Sequence, residues 1–148
     1  MNSASTWPLR TIARAANMNP RPLRQLFETD VLKFRGDDKH STGSGVKVGL
    51  SRNRAYEAAI VQALRLSGLM VSRAANAAFE FTLNGNSGRA AGQLFPMRRT
   101  VLVIRQSDAV VANVDFDARL SDLSNNGVAI AVDLNAIVAK VDAALSNK

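Results

Sequence analysis

The sequence predicts an α+β protein with an N-terminal winged helix-turn-helix, mainly helical with a β-hairpin wing, and a small β-rich module that ends in a helix. Two observations carry this prediction. Apolar residues recur at helical spacing through most of residues 9–78, which is typical of amphipathic helices. From residue 79 onward, short segments with a period of two are separated by turn residues, which is typical of strands. We therefore divide the chain into a winged helix-turn-helix domain at 1–78 and a β-rich module at 79–148.

The first two helices are predicted from LRTIARAANMNPRPLR at residues 9–24. One face of a short helix carries the apolar residues Leu9, Ile12, Ala13 and Ala16. Asn17 follows, and Asn tolerates the left-handed conformation that a tight turn between two helices requires. Met18 is the apolar residue expected in the angle between the helices. This pattern predicts a helix-turn-helix.

The second helix is predicted to begin at Asn19 and Pro20 and to run to about Glu28, because Asn caps orphan N–H groups and Pro has none to lose. Its exposed face presents Arg21, Arg24 and Gln25. These residue types can reach phosphates and base edges. We predict that they bind DNA together with Asn19; the alternative is an ordinary pair of amphipathic helices whose arginines are solvated.

A wing is predicted after the second helix. VLKF at 31–34 and VKVGL at 46–50 resemble short strands, and the polar segment GDDKHSTGSG joins them. Such a hairpin would place basic side chains on the sugar-phosphate backbone. These side chains are Lys33, Arg35, Lys39 and Lys47. The alternative is a solvated loop with incidental lysines.

Ser51 is a good N-cap for a third helix, which Gly68 is placed to end. Arg52 and Arg54 lie in its first turn, where cations are mildly unfavourable for the helix dipole unless a polyanion is near. We therefore add both to the predicted DNA-binding residues. Tyr56 is predicted to lie in the core, and a fourth helix is predicted at about 71–78.

The second half is predicted to contain several strands. FEFTLNG, RAAGQLF, RTVLVIRQ and AVVANVDF all have strand character, and Ser107-Asp108 would join the last two in a tight hairpin. VAIAVDL at 128–134 predicts either another strand or the start of the final helix. Residues 134–145 predict that helix.

The predicted module has more apolar surface than about 70 residues are expected to cover. We therefore predict a homo-oligomer with Ile137, Val141 and Leu145 at the contact. Symmetric pairing on two half-sites is the usual way for a small winged domain to gain selectivity. The alternative is that this helical stripe packs on its own sheet.

The charge of the chain is concentrated in its first half. The net charge is +7 over 148 residues. Residues 1–80 hold 12 Lys or Arg and 6 Asp or Glu, a net of +6, whereas residues 81–148 hold 7 and 6, a net of +1. A basic potential on the half with the helix-turn-helix pattern is expected if that half meets a polyanion.

Several classes of protein are disfavoured. The chain has no cysteine and one histidine, His40, which excludes disulfides and thiolate metal sites and disfavours zinc. The acidic segment VDFDARLSD lacks the Gly and terminal Glu of a calcium loop. The Gly-rich stretches lack the Lys-Ser/Thr pair of a P-loop. We therefore predict a protein without enzyme activity, metal or cofactor.

No apolar run approaches the roughly 20 residues that span a bilayer. The N-terminal residues lack the basic-then-apolar layout of a secretory signal. We expect a cytoplasmic protein of a bacterium or phage, with no membrane partner.

The order of helix-turn-helix, wing, capped third helix and short fourth helix resembles the DNA-binding domain of the MerR family of winged-helix regulators and of the related excisionase-like proteins. The resemblance covers about residues 7–78, half of the chain. VGLS at 48–51 looks like the wing exit of that family, and LRLSGLMV at 64–71 is similar to its segment between the third and fourth helices. The family's apolar positions, turn and Leu-Arg pair fall on Leu9, Ile12, Ala13, Ala16, Met18, Asn19, Leu23 and Arg24.

The chain departs from the family in two respects. Gln25 and Leu26 stand where an aromatic pair is common. The long dimerisation helix of typical members has no counterpart in residues 79–148. The resemblance implies DNA binding and no particular effector.

We expect sequence-specific binding of double-stranded DNA by an oligomeric transcription regulator. One alternative is an excisionase-like or DNA-packaging accessory protein. The other is a structural or adaptor protein that does not bind DNA.

Overall fold

The computed structural model of the protein describes residues 5–39, 48–86, 88–115, 117–124 and 126–146. These residues form six helices and five short strands. The helices are α1 (Leu9–Ala15), α2 (Pro20–Glu28), α3 (Arg52–Leu66), α4 (Val71–Thr82), α5 (Leu120–Leu123) and α6 (Leu134–Ser146). The strands are β1 (Thr6–Trp7), β2 (Leu50–Ser51), β3 (Arg99–Ile104), β4 (Ala109–Val114) and β5 (Ile130–Asp133). The chain is therefore α+β, as predicted.

The first two helices and the turn between them agree with the sequence prediction. Asn17 has a φ of 58°, the left-handed conformation expected at this turn. The backbone N–H of Met18 donates to the carbonyl of Ala13 at 2.9 Å, which closes the end of α1. Asn19 is extended and Pro20 begins α2, although the Asn19 side chain makes no capping hydrogen bond. The turn and the start of α2 were therefore predicted correctly, whereas the side-chain cap at Asn19 was not.

The predicted wing strand at 31–34 is wrong, because these residues cap α2 instead. Asp30 has a φ of 59°, and the backbone N–H groups of Val31 and Leu32 donate to the carbonyl of Leu26 at 2.9 and 3.0 Å. Leu32 is fully buried. The apolar pair that resembled a strand therefore serves to end a helix.

Strand β2 pairs with β1 in an antiparallel register that aligns Trp7 with Leu50. Nearer the tip of the connection, Lys39 and Gly49 form an isolated bridge with hydrogen bonds of 2.7 and 2.9 Å. His40 and Lys47 lie outside the described residues. The described part of the predicted wing is thus a loop closed at its base by the bridge between Lys39 and Gly49. The strand that leaves this loop, β2, pairs with β1.

Helix α3 has the boundaries that the sequence predicts. The Ser51 hydroxyl accepts a hydrogen bond from the backbone N–H of Arg54 at 3.4 Å. Gly68 has a φ of 96°, a conformation that suits glycine just beyond a helix end.

Helix α4 continues past Ala78 to Thr82, so the predicted strand at FEFTLNG is wrong. Ala74, Ala78 and Phe81 are buried and continue the apolar stripe of the helix at spacings of four and three residues. The alternation of Phe79 and Phe81 with polar residues fits a period of two by coincidence, and the packing of Phe81 in the core decides for the helix.

The predicted strand at RAAGQLF is also wrong, because this segment winds around the buried guanidinium of Arg89. That group donates to the carbonyls of Phe81 at 3.0 Å and Asn84 at 2.6 Å. It also lies 5.4 Å from the Phe81 ring centroid and 5.9 Å from that of Phe95. Its other acceptors are Asn86 Oδ1 and the carbonyls of Glu80, Ala90 and Gln93. A cation thus supplies donors to carbonyls at the end of α4 that have no partner within the helix.

The second half contains a three-stranded antiparallel sheet in the order β4-β3-β5. Leu102 of β3 aligns with Val111 of β4 and with Val132 of β5. The Arg105 N–H donates to the Asp108 carbonyl at 2.9 Å, which closes the predicted tight hairpin. RTVLVIRQ and AVVANVDF are therefore confirmed as strands, and VAIAVDL supplies β5 directly before α6.

The two halves share one hydrophobic core, so the boundary that we placed after residue 78 does not separate them. One buried cluster includes Ile12 of α1, Phe81 of α4, Leu102 of β3 and Val141 of α6. Helix α6 packs against α1, α3 and β3, and residue 78 lies inside α4.

The predicted oligomer contact on α6 is largely inside this core. Val141 is 1% exposed and Leu145 is 6% exposed, while Ile137 is half-buried and packs against the cluster. Val141 and Leu145 are therefore unavailable to a partner. The stripe packs within the chain, as the alternative prediction had it, and the predicted homo-oligomer stays a prediction without an assigned surface.

None of the helices in the described ranges is long and apolar enough to cross a membrane.

We predict that Arg89→Ala lowers the free energy of unfolding by about 2–4 kcal/mol, because a buried guanidinium and its hydrogen bonds to the carbonyls of Glu80, Phe81 and Asn84 are lost. Urea denaturation monitored by circular dichroism measures the change. Arg119→Ala is the matched control, since it removes an exposed cation, and its effect should stay within about 0.5 kcal/mol. Equal effects of the two variants would contradict the capping role of Arg89.

Candidate nucleic-acid interface

The exposed side of α2 carries the residues predicted to read DNA. Leu23, Leu26 and Phe27 are buried on its inner side. The outer side presents Asn19, Arg21, Arg24 and Gln25, all exposed. Within the described residues, the guanidinium groups of Arg21 and Arg24 have no ion pair. This side of α2 is therefore free to contact a ligand.

An arginine cleft, missed by the sequence analysis, lies beside the start of α2. Arg10 and Arg14 project from α1 and Arg65 from the end of α3, around a hollow of about 480 Å³. No acidic side chain lines the cleft among the described residues. The remaining lining residues are Asn17, Met18, Asn19, Pro20, Pro22 and Gln62.

Two features position the arginine cleft. Arg10 and Arg14 are four residues apart, so they lie one above the other on the exposed side of α1. The Gln62 side chain donates to the Asn17 carbonyl at 3.4 Å, which links the turn to α3. Like charges at this spacing repel in an isolated helix, and no described acidic side chain forms an ion pair with either arginine. The arginine cleft therefore favours an anion.

A signal for Arg10 and Arg14 was present in the sequence. The two residues stand at the spacing of helical neighbours, and no acidic residue lies within α1. Arg65 gave no such signal, because a basic residue in the last turn of a helix is common for electrostatic reasons alone.

The described cations of the predicted wing differ in exposure. Lys33 and Lys39 are exposed. Arg35 is half-buried and its guanidinium carbon lies 5.3 Å from the ring centroid of Phe79. Lys33 and Lys39 therefore stay in the candidate interface, whereas Arg35 serves mainly to pack the loop on α4.

Arg54 does not belong to the interface, because it is 1% exposed. Its guanidinium lies between three carboxylates, at 3.6 Å from Asp37, 3.7 Å from Asp38 and 3.2 Å from Glu57. We call these four residues the Arg54 cluster. Arg54 was predicted to bind DNA because a polyanion would offset the helix dipole, but carboxylates of the preceding loop and of α3 itself supply the negative charge.

Arg52 is partly exposed but already paired. Its guanidinium donates to Asp142 Oδ1 at 2.6 Å and its side chain is 42% exposed. The Tyr56 hydroxyl donates to the same oxygen at 2.7 Å, and burial is the main cause that raises the pKa of Tyr56. Arg52 thus holds α6 to α3, and Tyr56 lies in the core as predicted.

Glu57 is the buried carboxylate of the Arg54 cluster, with none of its surface exposed. The Thr82 hydroxyl donates to Glu57 Oε2 at 2.6 Å. Burial raises the pKa of Glu57 to about 7, although Arg54 opposes the shift. The carboxyl group therefore changes charge near neutral pH.

No group of three carboxylate or histidine side chains in the described ranges is placed to hold a metal ion. Asp115 instead pairs with Arg98 at 3.0 Å.

Comparison with protein-family models gave no match, and comparison with curated proteins gave none. The candidate interface combines exposed arginines on α2 with the arginine cleft beside them. This arrangement is suited to a phosphate backbone and to the base edges next to it.

We predict that the free energy of unfolding falls by about 3 kcal/mol as pH rises from the ordinary pKa of Glu57, 4.5, to its folded value of about 7. The unfolded state loses the proton first, so the protonated native state is favoured at low pH. This contribution is complete below the lower pKa and is lost as pH rises through the higher one.

Urea denaturation at several pH values, compared with Glu57→Gln, measures this effect. The variant cannot ionise at this position, so the difference between the two proteins should follow the predicted slope. A difference that does not change with pH would show that Glu57 titrates normally.

Proposed function

We propose that the protein binds double-stranded DNA through α2 and the arginine cleft, and that it acts as a sequence-specific transcription regulator of a bacterium or phage. The observation that carries the proposal is the arginine cleft, in which three guanidinium groups without a described acidic partner surround the start of an exposed helix. Grouping these cations without carboxylates costs stability unless an anion is present.

The dimensions of α2 support this proposal. A helix of 9 residues is about 13 Å long, and the major groove of B-DNA admits an α-helix. Arg and Gln are the residue types that make bidentate contacts with guanine and adenine. With Arg21, Arg24 and Gln25 on the exposed side, α2 can present such contacts to successive base pairs.

The arginine cleft supplies what base contacts alone do not, namely a fixed register on the backbone. Phosphate contacts position a protein on the duplex, whereas base contacts specify the sequence. Because Arg10 and Arg14 belong to α1 and Arg65 to α3, phosphates held by these three arginines would fix the orientation of the helices next to α2.

Two other functions would use parts of the same surface. An excisionase-like or packaging accessory protein would bind duplex DNA in the same way and differ in what the bound DNA does next. An adaptor would dock an acidic protein on the arginines. Counterion release gives DNA binding a steep dependence on salt, which docking on a protein need not show.

We predict that Arg14→Ala weakens duplex binding and lowers the slope of log affinity against log salt by about 0.9, the value for one lost phosphate contact. The triple substitution of Arg10, Arg14 and Arg65 by Ala should lower it by about three times as much. Fluorescence anisotropy with a labelled duplex at several salt concentrations measures both quantities. Arg119→Ala is the control, because Arg119 is exposed and lines a different hollow with Asp117 and Asp122.

Equal losses in Arg14→Ala and Arg119→Ala would show that net charge alone attracts DNA. Wild-type protein without salt-dependent duplex binding would favour the adaptor.

We predict that Arg24→Ala costs about 1–3 kcal/mol on a preferred duplex and much less on random duplexes, because a base contact is lost. Lys39→Ala should weaken binding to all duplexes alike. The preferred duplex is obtained by selection from a random pool with the wild-type protein. Equal losses of Arg24→Ala on both kinds of duplex would assign Arg24 to the backbone.

A further inference from the structure

The connection between α2 and α3 is held at its base by the Asp38 carboxylate, which is buried beneath the loop. Asp38 accepts a hydrogen bond from the Arg35 N–H at 2.7 Å and another from the Ser51 N–H at 2.8 Å. Arg35 lies in the loop that follows α2, and Ser51 caps α3. One carboxylate thus joins the two arms of the connection.

Arg54 joins the same segment to the body of the protein. In addition to its carboxylate partners, its Nη1 lies 3.5 Å from the Lys33 carbonyl. Glu57 faces it from one turn further along α3, and Thr82 of α4 holds Glu57. Contacts with α3 and α4 therefore fix the orientation of the Arg54 guanidinium. This guanidinium in turn contacts residues 33–38 and restrains their position.

A buried ion cluster of this kind needs an explanation other than stability. Removing charges from water costs free energy, and apolar side chains of similar volume often stabilise a core as well or better. The best-attested use of buried polar groups is to select one conformation among several. The conformation selected here is that of the loop base.

The loop base carries the two exposed lysines of the candidate interface. The Lys33 carbonyl is an acceptor of the Arg54 cluster, and Lys39 follows Asp38 directly and is bridged to Gly49 by two backbone hydrogen bonds. The Arg54 cluster therefore holds the backbone of Lys33, and the backbone of Lys39 is held directly beside the cluster.

We propose that Arg54 and Asp38 are positioning residues of the DNA interface, which fix the backbone of Lys33 and Lys39 so that both ammonium groups reach the phosphate backbone. This inference rests on the proposed function. It assigns to two buried residues, which cannot touch DNA, a share of the affinity for DNA.

A cycle of variants in the full-length chain tests the proposal. It compares Asp38→Asn, the pair Lys33→Ala with Lys39→Ala, and all three substitutions together. The measured quantity is the slope of log duplex affinity against log salt. Asp38→Asn and the lysine pair should each lower the slope by up to about 1.8, since each phosphate contact contributes about 0.9. The combined variant should lower it no further.

The slope separates positioning from a general loss of folding. A partly unfolded population reduces the amount of active protein and leaves the slope of the folded molecules unchanged. If Asp38→Asn does not fold, Asp37→Asn takes its place, because Asp37 is one-third exposed and contacts Arg54 from the loop side. Its expected effect has the same direction and is smaller.

Hydrogen exchange gives a readout without DNA. The Lys39 amide, bonded to Gly49 in the wild type, should exchange faster in Asp38→Asn, while amides in α6 keep their rates.

Three outcomes would overturn the proposal. An unchanged slope in Asp38→Asn would mean that the lysines do not depend on it. Additive losses in the combined variant would mean that Asp38 acts by another route. If wild-type protein shows no salt-dependent duplex binding, the proposed function fails and this inference with it; in the first two cases the proposed function stands.

Discussion

The burial of α3 on nearly every side is the constraint on which the rest of the structure depends. Every residue from Arg54 to Val61 is buried, so α3 must be surrounded by other elements rather than lie on the surface. Ala55, Ala58 and Ala59 allow close approach, and α1, α4 and α6 pack against the helix. A charge on such a helix must be neutralised inside the protein, which is why Arg54 and Glu57 occur together with the carboxylates of the preceding loop.

The same constraint determines where exposed cations can lie. Because α6 of the second half covers part of α1 and α3, the arginines of these helices that have no described ion pair reach solvent on the outer side of α1 and at the last turn of α3. Arg10, Arg14 and Arg65 occupy these places. Arg52, at the first turn of α3, is partly exposed but paired with Asp142. The arginine cleft is therefore a product of both halves of the chain, although all of its lining residues belong to the first.

Most of the features that the sequence predicts correctly are decided by neighbours along the chain. The turn at Asn17, the cap at Ser51, the glycine at residue 68 and the hairpin of β3 and β4 are all local features, and each was predicted. The false strand at 31–34 is a local cap of α2 closed by hydrogen bonds to the Leu26 carbonyl. Other errors occurred where a distant contact decides. Phe81 alternates with polar residues but packs as part of a helix, and Arg89 interrupts a strand-like segment because carbonyls of α4 need a donor. Arg54 was assigned to the surface because its acidic partners could not be placed from spacing.

The packing of α6 against α1 has a consequence for synthesis of the chain. Helices α1 and α2 carry most of the exposed arginines of the candidate interface. Helix α1, however, packs against α6, whose residues, such as Val141, come much later in the sequence. A contact between segments so far apart in sequence forms late, because closing a long loop costs entropy before the contact repays it. During synthesis on the ribosome, the apolar side of α1 therefore stays partly uncovered until α6 has emerged. Until then, Ile12 and its neighbours lack part of their cover and are open to chaperones and to other nascent chains.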